Sequence, residues 1–165
     1  MNFRRILLPT DFSDFSRAAE QSACELAGES GAELHVLHVL SDIFLSVPQT
    51  AAAIMIPPKV LENQVTDAER EIANVPPDSW AKGRNVVRAV RIGSVYETIV
   101  QYARDHDVDL IVIGTHGRTG LRHILLGSVA ERVVRLSPCS VLTVRPTRPA
   151  RVKEGVSPQP ALKTA

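Results

Sequence analysis

Four glycines fall within the fifteen residues from Gly114 to Ser128, GTHGRTGLRHILLGS, between an apolar run and a helix-like segment. Glycine loses more conformational freedom on folding than any other residue, so such a cluster indicates that the backbone approaches something closely. Bare backbone N–H groups that lead into a helix N-terminus suit an anion, above all a phosphate. These residues therefore predict recognition of a phosphate-bearing group.

The individual glycines and polar residues of this loop fit the same chemistry. Gly114, Gly117 and Gly127 would let the main chain approach phosphate oxygens without a side chain in the way. Ser128 adds a hydroxyl, and we interpret it as the N-cap of the next helix, with Glu131 completing a capping box. The candidate charge partners for a phosphate lie within the loop and are Arg118, Arg122 and His123.

A purely structural loop is the alternative, because Gly-Ser-Val-x-Glu occurs twice in the chain. At Gly93 to Glu97 a turn followed by a capping box accounts for it. The upstream run Gly114-x2-Gly117-x2-Gly120 exceeds what a turn needs and favours ligand binding. Neither the G-x-x-x-x-G-K-[ST] pattern of P-loops nor the G-x-G-x-x-G pattern of dinucleotide-binding folds occurs here, which argues against both classes.

Five strand-like segments alternate with four helix-like ones. The strand-like segments are residues 4–11, 33–40, 85–93, 109–114 and 140–145, and the helix-like segments are residues 13–30, 61–75, 94–107 and 128–137. Such alternation is typical of an α/β fold in which helices cover both faces of an open parallel sheet, giving three layers.

The position of the loop predicts the strand order. Ligands of open α/β sheets bind at the carboxyl ends of the strands, where the strand order reverses. Pro-Thr-Asp follows the first strand and the glycine loop follows the fourth, so both line one crevice if these strands are neighbours. The predicted order is 3-2-1-4-5. Asp11 is then either a ligand-binding residue or a turn former, since Ser13 can also cap the first helix.

Four of these residues match a known family pattern. Gly114, Gly117, Gly127 and Ser128 fit Gly-x2-Gly-x9-Gly-[Ser/Thr], and the chain resembles the ATP-binding subgroup of the universal stress proteins. The resemblance extends to ILLPTDFS near the start, LHVLHV in the second strand and SVLTVRP near residue 146, so it covers about residues 2–146. It implies a single nucleotide-binding domain over residues 1–146.

The resemblance also implies a ligand and a site. The ligand would be ATP, or AMP or ADP, with magnesium accompanying ATP. The main chain of Val39 would face the adenine edge, and Ala130 stands where many ATP-binding members have threonine. The residues that would border the base and ribose are Pro9, Thr10, Asp11, Val39, Ile113 and Gly114, and those that would follow the phosphates are Gly117, Gly127, Ser128, Val129 and Ala130.

The function that follows is a nucleotide-dependent stress-response sensor or interaction module. The loop offers no carboxylate or lysine at the phosphate end, so rapid phosphoryl transfer is not expected and we assign no catalytic residue. Two alternatives stay open: a nucleotide-free homodimeric scaffold, and a slow ATPase or self-kinase that modifies Ser128 or Thr119. The family resemblance implies a homodimer through the edge strand 140–145, an edge that its apolar residues leave open to pairing.

Composition narrows the class of protein further. The 165 residues carry a net charge of +1 without a basic stripe, which argues against nucleic acid as a partner. Two isolated cysteines and the lack of a long apolar segment predict a cytoplasmic protein without a membrane segment, and we assign no residue as a metal ligand. We expect the proline-rich tail, residues 147–165, to be disordered and residues 41–58 to form a lid-like connection.

The two histidines of the second predicted strand lie three residues apart. His35 and His38 should therefore point to opposite faces of the sheet, which argues against a shared metal ion. We interpret both as packing residues.

Overall fold

The computed structural model describes residues 3–41, 58–115 and 126–146. The interior of the predicted lid, residues 42–57, lies outside these ranges. So do the tail from residue 147 and the loop residues 116–125, which include Gly117. Predictions for those residues stay predictions.

The described residues form one five-stranded parallel sheet. Its strand order is β3-β2-β1-β4-β5, which confirms the predicted order 3-2-1-4-5. The order reverses between β1 and β4, which pair through Ile6 with Leu110 and Leu7 with Ile111. The strands are β1 (Arg5–Pro9), β2 (Glu33–Ser41), β3 (Val86–Gly93), β4 (Leu110–Gly114) and β5 (Ser140–Val144).

Helices cover both faces of this sheet. The structure adds one short helix, the single helical turn α3, to the four that were predicted. The helices in the described ranges are α1 (Asp14–Ser30), α2 (Pro58–Ile72), α3 (Asp78–Ala81), α4 (Val95–Asp105) and α5 (Ser128–Leu136). None of them is both long and apolar enough to span a bilayer.

Two hydrophobic clusters lie on opposite sides of the sheet. Alternate residues of a strand point to opposite faces, so Ile6 and Leu8 pack with α1 and α2 while Leu7 packs with α4 and α5. All three side chains are fully buried. Because β1 is covered on both faces, its continuous apolar run is what a central parallel strand requires.

Candidate functional site

A cavity of about 370 Å³ lies at the carboxyl ends of β1, β2 and β4, beside the first turn of α5. This volume falls within the range of small-molecule sites, about 300–1,000 Å³. The structure brings ten of the eleven predicted site residues together around it, and Gly117 lies outside the described residues. The ten are Pro9, Thr10, Asp11, Val39, Ile113, Gly114, Gly127, Ser128, Val129 and Ala130.

The β1–α1 connection positions Thr10 and Asp11 on the cavity wall. The hydroxyl of Thr10 accepts a hydrogen bond from the Phe12 N–H at 3.1 Å. Oδ1 of Asp11 accepts from the N–H and the hydroxyl of Ser13, at 3.1 and 2.6 Å. The Ser13 hydroxyl also accepts from the Ser16 N–H and caps α1. Asp11 therefore forms a local turn and also lines the cavity, so the two interpretations of this residue are compatible.

Main-chain groups of β2 are exposed to the cavity where β1 ends. Pairing between β1 and β2 stops at Pro9 and Leu37, and Thr10 adds one further bond from its N–H to the Leu37 carbonyl at 2.9 Å. Pairing of β2 with β3 continues to Ser41. Along a parallel strand the main-chain groups point alternately to the two neighbours. The N–H and C=O of Val39 therefore point towards the β1 side, into the cavity.

The first turn of α5 presents its amides on the other side of the same cavity. Ser128 was predicted to be the N-cap, and this was wrong: Gly127 is the N-cap, with φ −66° and ψ 154°, and Ser128 is the first helical residue. In the described part of the chain no side chain caps this helix. The first-turn amides of a helix have no intrahelical acceptor. The amides of Ser128, Val129 and Ala130 thus leave a positive helix end beside the cavity.

Glycine 127 is fixed at the entrance to α5 by two main-chain hydrogen bonds. Its N–H donates to the Thr115 carbonyl at 2.7 Å, and its carbonyl accepts from the Glu131 N–H at 2.9 Å. Ser94 is the N-cap of α4 and makes no side-chain capping bond, so the capping box predicted between Gly93 and Glu97 does not form. The start of α5 is therefore held by its backbone.

Helix α4 connects the cavity to the opposite end of the sheet. Its residues Val95 and Ile99 line the cavity. Further along the helix, the Tyr102 hydroxyl lies 2.9 Å from Nδ1 of His35, whose Nε2 lies 2.7 Å from the Glu33 carboxylate. Burial lowers the pKa of His35 below its ordinary value, although the Glu33 carboxylate opposes that shift. The neutral ring donates from Nε2 to Glu33 and accepts at Nδ1 from Tyr102.

The lining of the cavity is suited to binding. Its apolar part includes Leu37, Val39 and Ile113, and among the described lining residues Asp11 is the single side chain that ionises. No group of three or more His, Cys, Asp or Glu side chains within the described ranges is arranged to hold a metal ion. These residues offer hydrogen-bonding groups and apolar surface on the cavity wall.

Comparison with known proteins identifies the family. Residues 2–145 match the model of the universal stress protein family. The chain belongs to the universal stress protein family. It is 34% identical over 144 residues to the universal stress protein MJ0531 of Methanocaldococcus jannaschii, across 87% of this chain and 82% of that protein.

Solved structures of universal stress proteins share the fold. The structure of protein MJ0577 of Methanocaldococcus jannaschii has a TM-score of 0.78 at 28% identity, and the match covers 90% of this chain and all of that one. A universal stress protein of Archaeoglobus fulgidus, solved in complex with dAMP, has a TM-score of 0.56 at 20% identity and covers 87% of this chain and 99% of that one. At this lower identity the likeness concerns the fold.

Five residues of the cavity were not predicted from the sequence or from the resemblance to universal stress proteins. Leu37 could have been found, because it lies two residues before Val39 on the same face of β2. Ile99 lies one helical turn after Val95, so either residue would have predicted the other. No local pattern indicates the remaining members. The five are Ser16, Leu37, Val95, Ile99 and Thr115.

Proposed function

We propose that this universal stress protein binds an adenine nucleotide, with ATP as the predicted ligand, in the cavity between β2 and α5, and that the bound state changes a surface recognised during a stress response. The observation that carries the proposal is that one cavity has main-chain groups suited to a base at one side and helix-end amides suited to phosphates at the other. The ten predicted residues around it support the same ligand.

At the base side, the main chain of Val39 offers one donor and one acceptor. Adenine presents a ring-nitrogen acceptor next to an amino donor, so its edge complements one N–H and one C=O. Guanine presents a ring N–H donor next to an oxygen acceptor, so it would place like groups together. A buried polar group left without a partner costs about 1–3 kcal/mol, which favours adenine over guanine.

At the phosphate side, the uncapped amides of Ser128, Val129 and Ala130 are the proposed donors. Their alignment with the α5 dipole favours negative charge, an effect worth about 0.3–1 kcal/mol for an exposed group and more when partly buried. Asp11 lines the cavity between the two sides and would accept hydrogen bonds from ribose hydroxyls. Gly117 and magnesium belong to the same prediction.

The dAMP complex of the Archaeoglobus fulgidus protein shows an adenine nucleotide bound to another universal stress protein. That observation supports the class of ligand proposed here.

The proposal includes a homodimer formed through β5, in the cytoplasm. This strand is an edge of the sheet, and Leu142 on it is 38% exposed. Val134 and Leu136 of the adjoining helix α5 are exposed as well. An edge strand offers unpaired main-chain groups to another chain, and nearby apolar surface stabilises the pairing.

The test is calorimetric titration of the purified protein with ATP, AMP, adenosine and GTP, with and without magnesium. Binding of ATP or AMP with a clear preference over GTP is expected. Gly127→Val is the matched variant, because φ −66° allows a branched residue and Gly127 lines the cavity. Absence of heat with every nucleotide would contradict the proposal and favour the nucleotide-free scaffold.

A second measurement addresses the slow ATPase or self-kinase. ATP labelled at the γ-phosphate is incubated with the wild-type protein and with Gly127→Val. We expect equal background label with both proteins. Label on the wild-type protein, or free phosphate above the level of the variant, would instead assign a phosphoryl-transfer activity to this cavity.

A further inference from the structure

The hydrogen-bond ladder between β1 and β2 is interrupted one step before it would close the cavity edge. After the bond from the Thr10 N–H to the Leu37 carbonyl, a regular parallel ladder continues from the Val39 N–H to the Thr10 carbonyl. Among the described residues that bond is absent. The Thr10 carbonyl accepts instead from Nδ1 of His38, at 2.8 Å.

The His38 ring is held in place for this bond. It is 6% exposed, and it stacks on the Phe12 ring with 4.5 Å between centroids and 29° between planes. Phe12 has φ +64°, a left-handed conformation that is uncommon for a bulky residue. Because a carbonyl oxygen only accepts, Nδ1 of His38 carries the proton in this bond.

We propose that His38 is a positioning residue that sets the base specificity of the cavity. Because its ring donates a hydrogen bond to the Thr10 carbonyl, the Val39 N–H stays available to a ring nitrogen of a purine. The inference rests on the proposed function for its ligand. The hydrogen bond from the His38 ring to the Thr10 carbonyl does not depend on any ligand.

His38 thus has two roles, the packing role expected from the sequence and the hydrogen bond to the Thr10 carbonyl. Packing requires the volume and flat face of the ring, which phenylalanine would also provide against Phe12. Diversion of the Thr10 carbonyl requires a hydrogen-bond donor at the position of Nδ1, which phenylalanine lacks and the asparagine amide provides. His38→Phe and His38→Asn therefore separate the two roles.

The first experiment measures amide hydrogen exchange by NMR without nucleotide. In the wild type, the Val39 amide should exchange at least about tenfold faster than the Leu37 amide, which lies in the paired part of β2. In His38→Phe the Val39 amide should become protected by about tenfold, because the Thr10 carbonyl is released to it. In His38→Asn it should stay unprotected. A Val39 amide already protected in the wild type, or unchanged in His38→Phe, would overturn the inference.

The second experiment compares ATP with 1-deaza-ATP, in which a C–H group replaces the ring-nitrogen acceptor. The wild type and His38→Asn should prefer ATP by about tenfold, the equivalent of one hydrogen bond. His38→Phe should bind the two nucleotides equally. Equal losses for both nucleotides in His38→Phe would indicate a purely structural role and overturn the inference. If neither nucleotide binds the wild type, the proposed function fails, and the exchange data still decide whether His38 diverts the carbonyl.

Discussion

Gly114 lies against the first turn of α1 so closely that a Cβ atom on it would be 2.7 Å from the carbonyl oxygen of Phe15 and 2.9 Å from the carbonyl carbon. Both obstacles are main-chain atoms of a helix, which cannot rotate away as a side chain can. The first glycine of the Gly-x2-Gly-x9-Gly pattern is therefore required by the packing of α1 on β4, whatever the loop binds.

Gly114→Ala should lower the free energy of unfolding by about 1–3 kcal/mol, the usual cost of forcing extra volume into a packed interior. Gly28→Ala is the control, because a Cβ there has no atom within 4 Å and the residue lies within α1. It should raise the stability by about 0.5–1 kcal/mol, since alanine favours the helix. Urea denaturation measures both changes, and a Gly114→Ala protein as stable as the wild type would contradict the packing argument.

Ser128→Pro should weaken the binding of ATP and AMP by about tenfold and leave adenosine binding unchanged. Proline is tolerated at the first position of a helix, and the ψ of 154° at Gly127 suits a residue that precedes proline. The substitution thus removes one amide donor at the phosphate side and preserves the helix. Ser128→Ala, which removes the hydroxyl and keeps the amide, separates the two groups in the same calorimetric series. An equal loss of adenosine binding would argue against a phosphate role for this amide.

His35 should make the protein less stable as the pH falls from 7 to 5. Its pKa is lowered in the folded state by burial, so below a pH of about 6.5 the unfolded chain binds a proton that the folded chain does not. The stability contributed by the neutral ring is complete above that pH and is lost on acidification, by at most about 1.4 kcal/mol per pH unit. Urea denaturation at several pH values should give a shallower dependence for His35→Gln, and identical slopes would count against this assignment.

Thr143→Pro should convert a dimer into a monomer if two chains pair through β5. The Thr115 N–H donates to the Val144 carbonyl, so by alternation the main chain of Val144 faces β4 and that of Thr143 faces outward. Proline at Thr143 removes an outward donor and leaves the ladder to β4 intact. Thr143→Val keeps the amide and should remain dimeric. Sedimentation velocity distinguishes the species, and a wild type that is monomeric at all concentrations would exclude this interface.

The strand order was predictable because one functional argument constrained it. The Pro-Thr-Asp segment and the glycine loop must share a crevice, so β1 and β4 must be neighbours, and the sheet has that order. The end of α1 was predictable for a local reason, because glycine readily adopts the left-handed conformation that ends a helix. The helix was predicted to end at residue 30, and Gly31 follows it with φ +68°.

The missed features depend on contacts between segments distant in sequence. Ser16 enters the cavity because α1 packs beside β1, which no local pattern of residues encodes. The role of Gly127 as N-cap was missed because serine is a common N-cap, and here main-chain bonds to Thr115 and Glu131 set the start of the helix. His38 was interpreted as packing because its bond to Thr10 joins β2 to the β1–α1 connection, 28 residues away in sequence.

Tyr102 does not line the cavity, but it helps to hold in place the helix whose residues do. It lies seven residues beyond Val95 on α4, about 10 Å along the helix axis, and its hydroxyl is bonded to the buried His35. Tilting of α4 away from the sheet would break that bond between two buried side chains. The wall formed by Val95 and Ile99 is therefore preorganised, so a ligand that enters does not bear the entropic cost of ordering that helix.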